Sequence, residues 1–123
     1  MKIVNLIENT EGCSGCASEH GLSFYIETKH KLLVDTGATD AFVRNAKMLG
    51  VDLKAVDTVI LSHGHYDHGG GLPAFIKINS KAKIYIRTAA LETSIIRDIK
   101  VRDILVLHRK FKVIPRSFLW KAI

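Results

Sequence analysis

The stretch Leu61-Ser62-His63-Gly64-His65-Tyr66-Asp67-His68-Gly69-Gly70-Gly71 gathers three of the chain's six histidines and an aspartate into six residues. Crowded imidazoles repel one another when protonated and are poorly hidden when neutral, so the cluster costs stability unless something binds there. A metal ion removes both costs, because it takes neutral imidazole nitrogen and carboxylate oxygen as ligands. In extended chain, residues i and i+2 project to the same side, so His63 and His65 can converge on one ion. Gly64 lets the backbone bend between them. Asp67 and His68 are consecutive and point apart unless the chain turns, which the three following glycines allow. Two ligand pairs around one turn suit two ions about 3.5–4 Å apart, an arrangement used to activate water for hydrolysis. Asp67 is then both a ligand and the candidate catalytic base that orients the attacking water.

The elements that must hold this loop can be read on either side of it. Residues 57–61 form a short, nearly all-apolar run, expected as a strand buried on both faces, and the histidines follow at its carboxyl end. Upstream, residues 3–8, 22–27 and 32–34 read as strands, the last two joined by a tight turn over 28–30. In the second strand Phe24 and Ile26 share one face, Ser23 and Tyr25 the other. Thr39 or Asp40 can cap a helix whose Phe42, Ala46 and Leu49 recur at helical spacing, with Gly50 in the C′ place. After the loop, Pro73 sits in the first turn of a helix with Leu72, Phe75 and Ile76 facing inward, ending near Asn79. Further strands are expected over 83–86, 104–107 and 112–114, and a helix over 89–99. Strands interleaved with helices predict an α/β layered domain, with function at a strand's carboxyl end.

The chain's 123 residues allow one domain, with 88–123 as a divergent C-terminal segment. No apolar run approaches the roughly 20 residues of a membrane span, and the N-terminus turns acidic too soon for a secretory leader. The expected location is the cytoplasm. The net charge of +6 is uneven, because residues 81–123 carry eleven Lys and Arg against three Asp and Glu. A solvated basic face explains this better than nucleic acid, since no recognition helix or aromatic-interleaved strand accompanies the charges. Cys13-Ser14-Gly15-Cys16 has the spacing of redox and zinc motifs. With no second pair and no helix after it, two free thiols in a loop are the favoured state, ahead of a disulfide clip or a stray metal pair. A thiol-redox role ranks third among the functions considered.

His63-Gly64-His65-Tyr66-Asp67-His68 resembles the His-x-His-x-Asp-His signature of the metallo-β-lactamase superfamily, and Leu33-Val34-Asp35-Thr36-Gly37 resembles the strand and turn that precede it there. Ser18-Glu19-His20-Gly21-Leu22-Ser23 and the run from Ser62 to Pro73 are similar to one subgroup, the metal-dependent hydrolases and dihydropterin-linked ribofuranosylaminobenzene phosphate synthases. The resemblance covers approximately residues 1–87. It implies an αββα sandwich, here in part, and a dinuclear site, usually of zinc, with manganese or iron as other options. It also implies hydrolysis of an ester, phosphoester, thioester or lactam by a metal-bound hydroxide. On it, His63 and His65 hold the first metal, Asp67 and His68 the second, Asp35 orients the loop from behind by hydrogen bonds, and His20 lies over the cleft where substrate binds.

Members of that superfamily add a third histidine, a bridging aspartate or cysteine, and a final histidine in a second half. No matching motif follows Thr88. Three accounts stand side by side: a truncated copy, a half completed by another chain or a second copy, or His108 as an extra ligand. The expected partners are a small-molecule substrate and a complementing chain or homo-oligomer, because half of a sandwich leaves an apolar sheet face open. The two functional classes are a metal-dependent hydrolase and a catalytically silent metal-binding or interaction domain.

Overall fold

Three β-branched or leucine-rich segments between Lys31 and Arg87 alternate with helices, and that alternation builds a parallel centre. In the computed structural model, which describes residues 1–87 in full and 104–107 and 113–115 by their backbone, the strands are β1 (Lys2–Ile7), β2 (Ser23–Glu27), β3 (Lys31–Val34), β4 (Thr58–Leu61), β5 (Lys83–Arg87), β6 (Ile104–Leu107) and β7 (Val113–Pro115). They lie side by side in chain order in one mixed sheet. β1, β2 and β3 are antiparallel, β3 to β6 run parallel, and β7 turns back. The helices are α1 (Ala41–Met48), α2 (Tyr66–Gly69) and α3 (Leu72–Ile78), with a 3-10 turn at Leu53–Ala55. This is the expected α/β class. The expected helix over 89–99 lies outside the described residues. No helix among the described residues is long and apolar enough to cross a membrane.

One face of the sheet carries the core. Tyr25, Leu33, Val59 and Ile84 align across β2 to β5, and all are buried, with Leu61 and Ile86 one pleat further on. Phe42 and Ala46 of α1 and Leu72 and Phe75 of α3 close over them. Phe24, Ile26, Leu32, Val34 and Ile60 on the other face are half-buried. The expectation that β4 is buried on both faces is therefore corrected: Val59 and Leu61 are enclosed, Thr58 and Ile60 only half so. The reason is that, among the described residues, the helices pack on one side only.

Local capping follows the sequence with one change. Asp40 occupies the N-cap of α1 without a side-chain bond, and the Thr39 hydroxyl instead accepts from the Ala41 N–H at 3.1 Å. Gly50 follows the C-cap Leu49 at φ +70°, as expected. Asn79, at the end of α3, is buried, donates to the carbonyls of Leu53, Lys54 and Val56 and accepts from the Lys81 and Ala82 N–H groups. That one amide ties α3 to the 3-10 turn and to the entry of β5.

Two expectations follow. A Cβ on Gly71 would lie 2.3 Å from the Thr36 carbonyl oxygen and 2.5 Å from that of Thr39, whereas one on Gly12 would meet nothing within 4 Å. Gly71→Ala should therefore cost about 1–3 kcal/mol by urea denaturation, and Gly12→Ala should leave the midpoint unchanged. Asp57 binds the Lys31 N–H at 2.8 Å and the Thr58 hydroxyl, and the first of these, with smaller help from Thr58, His30 and Lys31, holds its carboxyl below the ordinary 3.8. A lowered folded pKa gives stability that is present above the unfolded value and lost as pH falls through the folded one. The stability gap between wild type and Asp57→Asn should thus narrow as pH drops below about 4, as measured by thermal melts across an acid series.

Candidate metal centre

β3 and β4 are adjacent and parallel, so their carboxyl ends open on the same edge of the sheet. Asp35 ends the first and Ser62-His63 ends the second, which is why residues far apart in sequence meet there. Asp35 has φ +56°, an uncommon conformation for a residue with a side chain. It is held there by its N–H to the Ile60 carbonyl (2.9 Å) and by the Ser23 hydroxyl on its own carbonyl (2.9 Å). The turn aims the carboxylate, only 1% exposed, at the end of β4.

That carboxylate accepts three hydrogen bonds: from the Ser62 N–H at 2.8 Å, the Ser62 hydroxyl at 2.7 Å and His68 Nδ1 at 2.8 Å. The Ser62 Oγ also lies 2.8 Å from His63 Nδ1. With the one hydroxyl proton given to Asp35, Oγ must accept, so His63 carries its proton on Nδ1. The bond from His68 Nδ1 to the carboxylate likewise puts that ring's proton on Nδ1. Both Nε2 lone pairs are therefore left to face a cation, which is how a supporting carboxylate sets the tautomer of metal-binding histidines. Asp35 thus lies behind the loop, bonded to Ser62 and His68.

The loop itself turns by a short helix that the sequence pattern does not reveal. Tyr66–Gly69 forms a single turn, with His68 N–H and Gly69 N–H both directed to the His65 carbonyl. This turn, rather than the glycines alone, brings consecutive Asp67 and His68 to one side. Thr36 fixes the far end, since its N–H (2.7 Å) and hydroxyl (3.1 Å) both reach the His68 carbonyl. The result is that ligand atoms of His63, Asp67 and His68 lie within 4.8 Å of one another. His65 is not in that group. It is exposed and stands edge-on to His63, ring centres 4.6 Å apart. His63 and His68 are closer, at 4.1 Å.

His20 is brought to the same place from the β1–β2 loop. Its Nε2 is 3.4 Å from Asp67 Oδ2, with the side chain 74% exposed, while His68 Nε2 lies 3.5 Å from the same oxygen. The neighbouring Glu19 clamps this loop to the β3–α1 turn, accepting from the N–H groups of Ala38 (2.8 Å) and Thr39 (3.1 Å) and from the Thr39 hydroxyl (2.7 Å). The positions of Ser62 and Glu19 beside the histidines are the only sequence signal for these supports, and Thr36 has none beyond its place next to Asp35. His108 lies outside the described residues. The favoured free thiols are corrected: Cys13 and Cys16 are joined as a disulfide, their Cα atoms 5.2 Å apart within a tight turn. The Cys16 N–H on the Cys13 carbonyl is what brings the two side chains together.

A His/Asp/His set at the carboxyl edge of a parallel sheet, backed by a buried carboxylate, defines an α/β protein built around a candidate metal centre. Residues 19–106 match the family model of the metallo-beta-lactamase superfamily, and the chain belongs to that superfamily. It is 40% identical over 93 residues to the 7,8-dihydropterin-6-methyl-4-(beta-D-ribofuranosyl)-aminobenzene-5'-phosphate synthase of Methanocaldococcus jannaschii, covering 69% of this chain and 32% of that protein. The chain thus spans about a third of this relative's length. Among solved structures, Tm1679, a metal-dependent hydrolase of the beta-lactamase superfamily, is 38% identical with a TM-score of 0.60, over 72% of this chain and 31% of that one. The metallo-beta-lactamase GOB-18 from Elizabethkingia meningoseptica is 32% identical with a TM-score of 0.50, over 58% of this chain and 27% of that one.

The dependence on Asp35 is open to direct test. Asp35→Ala should weaken zinc binding about 10–100-fold, read by competition with a chromogenic chelator, and Asp35→Asn, which keeps an acceptor oxygen for one donor, should fall between it and wild type.

Proposed function

We propose that the chain binds zinc through His63, Asp67 and His68 and serves hydrolysis of an ester, phosphoester, thioester or lactam. The observation that carries this is the Asp35 network, which leaves the Nε2 lone pairs of His63 and His68 free beside Asp67. Two imidazoles and a carboxylate are a donor set that catalytic zinc takes, and membership of the superfamily supports the same reading. When bound, the metal supplies Lewis acidity that makes water a nucleophile near neutral pH.

The protein's own part is positioning and proton handling. Asp35 and Ser62 fix the rings and their tautomers, so no reorganisation is needed when the cation arrives. Asp67 Oδ2, between His68 and His20, is the oxygen that holds charge against the cation or takes a proton from water. His20, on the solvent side and steadied by the Glu19 clamp, is the group that meets substrate. His65 would add a further ligand beside His63 if its ring turned from the edge-on position. Remaining ligands would come from a complementing chain or a second copy.

A second reading, a metal-binding or interaction domain without turnover, is favoured by one fact: the chain covers 32% of a relative that is itself named a synthase. Metal content and activity separate the two. Wild type incubated with zinc and desalted should retain the metal and hydrolyse at least one of a p-nitrophenyl ester, bis(p-nitrophenyl) phosphate, a thioester and a chromogenic lactam. His68→Ala should lower turnover by about 100-fold or more, chelation should abolish it, and zinc should restore it. Retained zinc without turnover selects the second reading, and loss of zinc on desalting overturns both.

A further inference from the structure

The disulfide lies in the middle of the β1–β2 loop, with Cys16 four residues before His20, and is not among the candidate metal ligands. Two accounts compete for it: a staple for the fold, or a redox-active pair. A staple stabilises by removing loop-closure entropy from the unfolded chain, and that gain shrinks with the size of the ring it closes. The ring from Cys13 to Cys16 spans a sequence separation of only three, so it constrains almost nothing that the turn does not already constrain. Hydrogen bonds also hold that turn. The Cys16 N–H donates to the Cys13 carbonyl at 2.9 Å, and the Gly15 N–H to a Glu11 carboxylate oxygen at 2.9 Å, with Gly15 at the φ of +81° that suits glycine. Beyond the turn, Ala17 is gripped through both its N–H and its carbonyl by the buried Asn45 amide, each at 2.8 Å. Reduction therefore leaves two thiols facing each other on an intact turn, the geometry in which one cysteine rapidly resolves a mixed disulfide formed by the other.

The surroundings of the pair are also shaped for a visitor. A cavity of about 270 Å³ runs along residues 3–8, and Cys13, Cys16, Asn45 and Leu49 complete its wall. β1 is the end strand of the sheet, with β2 as its partner, so an extended segment has backbone beside which to lie. Both cysteines are half-buried and line that cavity.

We propose that Cys13 and Cys16 form a thiol–disulfide exchange site whose substrate is a thiol that enters along the edge of β1, which among the described residues pairs with β2 alone. An incoming thiolate attacks one cysteine sulfur, the Cys13–Cys16 bond breaks, and the other cysteine leaves as a thiolate that takes a proton from water. A second thiol then attacks the mixed disulfide, and the visitor departs as its own disulfide. In net terms two thiols are oxidised and the protein disulfide is reduced to a dithiol; run in reverse, the dithiol reduces a disulfide substrate.

The source of the thiol, small molecule or protein, is resolved by two arms of one experiment on the full chain. In the first, the protein is equilibrated in glutathione buffers of graded reduced-to-oxidised ratio, alkylated and weighed by mass spectrometry under conditions that keep it folded. Reversible gain and loss of two alkylated thiols is expected. In the second, the protein should speed the reduction of insulin by dithiothreitol by about tenfold or more, and Cys13→Ser and Cys16→Ser should each abolish the gain. Exchange in the first arm alone identifies a small thiol as the substrate, and exchange in both identifies a protein thiol. Ile3→Glu, at a position 56% exposed on the cavity rim, should slow the insulin arm and spare the glutathione arm. A disulfide that stays closed in reduced glutathione, or that once reduced does not re-form, overturns the proposal. Zinc content of the two serine variants should equal that of wild type, so the outcome is independent of the metal centre.

Discussion

One carboxylate holds the candidate centre together. Asp35 sits at the end of β3, buried, and directs its two oxygens to Ser62 and His68 at the end of β4. A buried charge with no such donors would be expelled or neutralised; with three of them it is stable and directional. Because the carboxylate accepts, the serine must accept from His63 in turn, and both imidazoles present the nitrogen that a cation needs. The chain accepts a left-handed backbone at Asp35 to aim that group, a local cost met by tertiary hydrogen bonds on either side of it.

Around this hub, close backbone packing replaces side-chain bulk. Gly71 lets α3 start against the Thr36 and Thr39 carbonyls, so the histidine loop and the β3–α1 turn share one surface. Glu19 draws the β1–β2 loop onto that same turn, which is how His20 reaches Asp67 from a distant part of the chain. The centre is thus assembled from three segments: the histidine loop and the β1–β2 loop are each tied to the β3–α1 turn, and to one another through the Leu22 N–H on the Asp67 carbonyl at 3.3 Å. The β1–β2 loop serves two ends: its C-terminal part reaches the metal ligands, while its disulfide faces the edge of β1, with Asn45 pinning the chain between them.

Much of the architecture is legible in the residue pattern. The apolar run into β4, the alternation in β2, and the Phe42/Ala46 spacing of α1 each show a periodicity that burial on one face imposes, and the strand at Ile104–Leu107 keeps its expected bounds. The histidine cluster is legible because residue types that can ligate a metal are crowded there within six positions. Which face of β2 is enclosed is not legible: Phe24 and Ile26 are as apolar as Tyr25, yet it is Ser23 and Tyr25 that lie under the helices. Nor is the state of the cysteines, since spacing alone does not say whether a turn will bring two sulfurs together.

What the sequence determined by itself was the chemistry on offer, three imidazoles and a carboxylate at the lip of a strand, and the α/β class that would carry them, because side-chain type and local periodicity are properties of neighbouring residues. The tertiary structure alone decided which of those groups converge. It set His65 apart from His63, Asp67 and His68, placed Asp35 and Ser62 behind the rings, and brought His20 to the edge. The physical reason is that convergence depends on the parallel pairing of β3 with β4, which joins residues far apart in the chain, and on a helical turn over Tyr66–Gly69 that the residue pattern does not reveal.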